Sequence, residues 1–171
     1  MNIRLNEHVM RLEDMPLDIG YASEVVHLID MNGKQHVIGG HNGKTQLIIT
    51  TPNINDTFIH EMKKIDEIIP ISSTYELTAS IVVANSSHPE IELSKFNFLI
   101  DSEEELADMY GVRLKGMPYD NELTKALILI SKDGAIFYDQ FCDNLENEFN
   151  IDILYRKILA AQLCYTGKGC H

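Results

Sequence analysis

Residues 45–62 read TQLIITTPNINDTFIHEM, an apolar run that passes through a proline-bearing loop into a helical pattern. The run 45–51 is rich in Thr, Ile and Leu, bounded by the turn segment GGHNGK and by Pro52, and this predicts a buried strand. Beyond the loop, Phe58, Met62, Ile65 and Ile69 recur at helical spacing, Asp56 or Thr57 is placed to cap the start, and Pro70 ends the pattern. A strand feeding straight into an amphipathic helix is the unit on which the rest of the chain is read.

Working outward, the amino-terminal segments IRLNEH and VMRLED predict a small hairpin, and EVVHLID and KQHVIGG a second one around the turn MNGK. After the helix, LTASIVVAN reads as a buried strand, the segment following SSHPEIE as one helical turn, and FNFLID as a further strand. SEEELADMYG opens on Ser102 with Glu105 three residues later, a capping box, and closes on Gly111 as C-cap. KALILIS, the turn KDG and AIFYDQF predict a hairpin, and EFNIDILYRKILAAQL a final amphipathic helix. Strands separated by helices in the first half and joined by a tight hairpin in the second imply a mixed sheet covered on both faces. This is an α/β, thioredoxin-like three-layer sandwich with an added N-terminal β-hairpin, expected as one domain over 1–171 with a flexible cysteine-bearing tail over 164–171.

Composition narrows the function classes. A formal net charge of −12 opposes the phosphate neutralisation that nucleic-acid binding needs. The longest apolar runs, such as Ala126 to Ile130, fall far short of the roughly 20 residues of a spanning helix, so no membrane role is expected. The start, MNIRLNEHVMRLEDM, has no continuous apolar stretch of the signal-peptide kind, which leaves the cytoplasm as the expected compartment. Cys142, Cys164 and Cys170 are an odd number for such a chain, so no disulfide framework is expected. GGHNGKT precedes a strand, whereas a phosphate-binding loop follows one and opens a helix; it is read as a connecting turn.

The order of these motifs resembles the peroxiredoxin family, and within it the bacterial thiol peroxidases, over nearly the whole chain. In that family a loop of the form P-x-x-x-T-x-x-C joins strand to helix and sets the cysteine in the first helical turn, near unpaired N–H groups. Here PNINDTFIH supplies Pro52, Thr57 and, three beyond it, His60, with one extra residue between Pro52 and Thr57. Without that insertion Asp56 falls on the threonine position and Ile59 on the cysteine position; neither alignment gives a cysteine. LIDSEEELADMYGV, ending in Tyr110, Gly111 and Val112, is similar to a family strand-helix segment, and Lys125 stands nearest the place of the family's active-site arginine. The segment NSSHPEIELSKF, where the resolving cysteine would lie, has none.

The resemblance therefore implies a degenerate thiol peroxidase site built of His60, Thr57, Pro52 and Lys125, with no cofactor, a homodimeric assembly and a thioredoxin-type redox partner. Peroxide reduction needs a thiolate that attacks oxygen and a thiol that resolves the sulfenic acid, and an imidazole does neither. The expected role is redox-related binding or sensing. His60 remains open to general-base work, to metal binding, or to a plain backbone hydrogen bond at a helix start. Cys142, after a strand, reads as a small buried residue. Cys164 and Cys170 lie in the glycine-rich CYTGKGCH, a spacing open to three readings: a small redox-active disulfide loop that restores oxidoreductase chemistry, a metal site with His171, or a terminus without a specific role. The remaining histidines, His8, His27, His36, His41 and His88, read as surface or turn residues.

Overall fold

The computed structural model describes residues 1–70 and 76–163. Thirteen elements follow in chain order: β1 (Asn2–Leu5), β2 (His8–Leu12), β3 (Val26–Ile29), β4 (Gln35–Ile38), β5 (Thr45–Thr50), α1 (Asp56–Ile68), β6 (Leu77–Val83), β7 (Phe96–Ile100), α2 (Glu105–Tyr110), β8 (Leu114–Lys115), β9 (Ala126–Ile130), β10 (Ile136–Phe141) and α3 (Ile151–Gln162).

Seven strands form one mixed sheet in the order β10-β9-β5-β6-β7-β3-β4. β5, β6 and β7 run parallel, and β9 pairs antiparallel with β5, so that Thr50 lies opposite both Val82 and Ala126. β5 and β9 are buried at every position, and their side chains divide by parity. Leu47, Ile49, Leu127 and Leu129 join the core under α1 and α3, while Ile48, Ile128 and Ile130 join the core under α2. This alternation makes the three layers. The mixed sheet, the helices on both faces and the amino-terminal hairpin agree with the sequence reading.

The structure departs from expectation in four places. The hairpin β1-β2 is completed by β8, a two-residue strand without a sequence signal, which pairs Arg11 with Lys115 and Leu12 with Leu114. α1 is capped by neither Asp56 nor Thr57 but by Asn55, whose side-chain oxygen accepts the Phe58 N–H at 2.8 Å. α2 has no Ser102–Glu105 capping box. The two oxygens of Asp101 accept from Leu106 and Ala107 (3.0 and 2.9 Å), and Glu105 accepts the His27 N–H instead. Asp101 is a better cap because the preceding strand holds it buried, directly behind the helix start. The connection 84–95 contains turns and no helical turn.

Two expected stops are observed. Ile69 adopts extended backbone ahead of Pro70, as a residue before proline should. Gly111 closes α2 at φ 68°, where a Cβ would come within 2.4 Å of the Met15 carbonyl oxygen.

Candidate functional site

The site lies at the carboxyl end of β5, where open α/β sheets characteristically hold their ligands. Two short links bring its walls together. The Thr50 hydroxyl donates to the Thr124 carbonyl at 2.7 Å, tying the end of β5 to the residues just before β9. The Thr51 hydroxyl donates to the Asn53 carbonyl at 2.9 Å and folds the proline loop back on itself. A pocket of about 240 Å³ opens between this loop, the first turn of α1 and the segments around Tyr119 and Leu145.

Three of the four residues expected from sequence, Pro52, Thr57 and Lys125, line this pocket. His60 does not; it is exposed on α1. Helical geometry explains this placement. The buried face of α1 runs through Phe58, Glu61, Met62 and Ile65, an i, i+3, i+4, i+7 stripe that leaves position 60 pointing outward. Besides Thr57, the first-turn residue Phe58 lines the pocket, and its ring centre lies 6.0 Å from the Lys125 Nζ.

Glu61 was missed from sequence and is central. Its side chain is wholly buried, and that of Lys125 is 7% exposed. The ammonium donates to Glu61 Oε1 at 2.6 Å and to the Asn147 carbonyl at 2.6 Å, and lies 5.0 Å from the Phe149 ring centre. Glu61 Oε2 accepts the Phe149 N–H at 2.5 Å. Both partners of the ion pair are thus satisfied by backbone as well as by each other, the condition under which buried charges are tolerated. The signal in the sequence was a carboxylate standing in the apolar stripe of α1.

Cys142 is buried beside the same network. Its thiol donates to the Asn147 carbonyl at 3.7 Å, and its N–H donates to the Lys125 carbonyl at 3.1 Å. Burial pushes the thiol up to about 11, overriding the nearby Lys125 charge. It is therefore a thiol, not a thiolate, at neutral pH. Cys164, Cys170 and His171 lie outside the described residues. Among the described residues no group of three or more His, Cys, Asp and Glu is placed to hold a metal, and no helix is long and apolar enough to cross a membrane.

Of the histidines read as surface or turn residues, His88 lies in the turn-bearing connection 84–95 and is partly buried. Its side chain is only 11% exposed, and Nε2 lies 2.9 Å from Glu122 Oε2, while the other oxygen of Glu122 accepts from Asn85 at 3.0 Å. This joins the start of the connection 84–95 to the loop before β9.

The mixed seven-stranded sheet with helices on both faces is a thioredoxin-like α/β fold, the fold seen in peroxiredoxin structures. The chain is similar to the crystal structure of a peroxiredoxin-like protein from Aquifex aeolicus, with TM-score 0.81 and 19% identity over 94% of this chain and 96% of that one. It is similar also to a thiol peroxidase from Chromobacterium violaceum, with TM-score 0.77 and 14% identity over 92% and 95% of the two chains. Mycobacterium tuberculosis AhpC follows at TM-score 0.65 and 16% identity, covering 88% and 97%. At such identities the likeness is one of fold. No protein-family model and no curated protein matches the sequence.

Proposed function

We propose that this chain is a thiol-peroxidase-like protein, one domain over 1–171, whose ancestral site has lost peroxide chemistry and serves redox-related binding or sensing. The observation that carries the reading is the Lys125–Glu61 pair. A peroxidase site needs a thiolate and a cation free to polarise the peroxide; here the cation is held by a buried carboxylate at 2.6 Å, and among the described residues no cysteine lines the pocket. Phe58, rather than His60, fills the thiol's place in this reading, because it is the first-turn residue that meets both pocket and cation. Pro52 and Thr57 keep the walls. A cytoplasmic homodimer with a thioredoxin-type redox partner fits the same ancestry.

The test is a peroxidase assay coupled to a thioredoxin system, with hydrogen peroxide and an organic hydroperoxide. The expected turnover is no faster than that of an ordinary exposed thiol. Turnover of the peroxiredoxin kind would overturn the reading, and its loss in Cys164→Ser or Cys170→Ser would transfer the chemistry to the tail.

A further inference from the structure

We infer that the pocket beside α1 takes a small neutral amphiphile, an apolar body carrying an amide or hydroxyl head, and discriminates against carboxylates; the inference rests on the binding role proposed above. Leu5, Pro52 and Leu145 give it apolar wall, and Asn53, Asn55 and Tyr119 give it hydrogen-bonding groups. This is the mixture by which small-molecule pockets hold and orient a ligand.

Charge decides the class. The cation at the pocket floor, Lys125, is matched by a carboxylate that no water reaches, so its field is largely cancelled before it enters the pocket. The carboxylate among the described wall residues is Glu146, exposed at the rim, and Asp56 stands exposed in the first turn of α1. An incoming carboxylate would leave water to face a neutralised cation, a rim carboxylate and a chain of net charge −12. A cationic ligand would leave water without gaining a partner at the floor, because the Glu61 carboxylate is buried and already paired with Lys125. A neutral head group loses least on entry and can use the hydroxyl and amide groups of the wall.

The experiment uses the full chain and three probes of one shape: benzamide, benzoate and benzylammonium, titrated at pH 7 and followed through backbone amide resonances. Benzamide should shift the amides of 55–58 and bind at least about tenfold more tightly than either charged probe. Glu61→Gln uncovers the Lys125 charge and should reverse the order, benzoate then binding more tightly than benzamide. Should that variant fail to fold, Leu145→Asp, on the half-buried wall, should weaken benzamide about tenfold while leaving resonances remote from the pocket in place. Benzoate or benzylammonium binding as tightly as benzamide to the native chain, shifts that map elsewhere, or no binding of any probe would overturn the inference. A chain that shows the neutral preference but proves an active peroxidase would instead overturn the function proposed above.

Discussion

Placing a cysteine at each candidate position on α1 tests where the thiol of the proposed ancestral site would have stood. The background carries Cys142→Ala, Cys164→Ser and Cys170→Ser, and the variants are His60→Cys, Phe58→Cys and Phe58→Cys with Glu61→Gln. A thiolate at His60→Cys is exposed, so its pKa should stay near the free value of about 8.5. Position 58 faces Lys125, with 6.0 Å between the Nζ and the present ring centre. At about 6 Å and an effective dielectric of about 20, that cation alone would favour thiolate by ~2.8 kcal/mol, or about two pKa units. Glu61 sits 2.6 Å from the same nitrogen and opposes it at comparable range, and burial opposes it further. Phe58→Cys should therefore titrate at or above 8.5, and removing the Glu61 charge should lower it by about one to two units. The assay is thiolate absorbance against pH, read below the unfolding transition, since loss of the buried ring costs roughly 3 kcal/mol. A Phe58→Cys thiol well below 8.5 with Glu61 intact would refute the claim that the carboxylate neutralises the site. His60→Cys as the most acidic of the three would restore position 60 as the ancestral site.

Three further outcomes follow from the same structure. In urea, Glu61→Leu or Lys125→Met alone should cost about 3–5 kcal/mol by leaving one buried charge unpaired, whereas the double variant should fall short of their sum by at least about 2 kcal/mol. Additive losses would show that the pair is not coupled. Cys142 should resist thiol reagents at pH 8 in the folded protein, and its raised pKa fixes the sign of its pH effect: stability is fully present below about 9 and falls as pH rises toward about 11, by roughly 2–3 kcal/mol relative to Cys142→Ala. Asp101→Ala should cost about 1–2 kcal/mol and Ser102→Ala almost nothing; the opposite order in thermal unfolding would return the cap of α2 to Ser102.

The parts of this fold that sequence makes legible are those where periodicity and burial agree. β5 and β9 are largely apolar runs because both of their faces are covered, and α1 and α3 carry apolar stripes at helical spacing, that of α1 interrupted by Glu61. The caps were not legible, because Asn55, Asp56 and Thr57 are adjacent residues that can all cap a helix. Which one does so depends on the angle at which the proline loop delivers the chain. Asp101 was hidden for a related reason, since its capping geometry depends on where β7 ends rather than on local spacing. At the site, Pro52, Thr57 and Lys125 could be found through the family resemblance, but His60 was chosen by counting along a motif that carries an insertion. The helical period places Phe58 and Glu61 on the inner face and His60 on the outer.

The same ion pair accounts for how the pocket would keep its shape if, as proposed, peroxide chemistry has been lost. Glu61 reaches from α1 to Lys125 and to the Phe149 N–H, and Lys125 reaches from the start of β9 to the Asn147 carbonyl, so three separate segments close on one buried charge pair. Breaking any of these contacts leaves a buried donor or acceptor unpaired, which costs more than the contact itself contributes. The pocket walls are thereby fixed without a ligand and without a thiolate. A peroxidase, by contrast, must leave its cation available to the oxygen that receives charge as the peroxide bond breaks. With two of its three N–H donors committed to Glu61 and the Asn147 carbonyl and its charge matched by the carboxylate, Lys125 offers such an oxygen little net charge, which in the proposed reading suits holding a molecule better than transforming one.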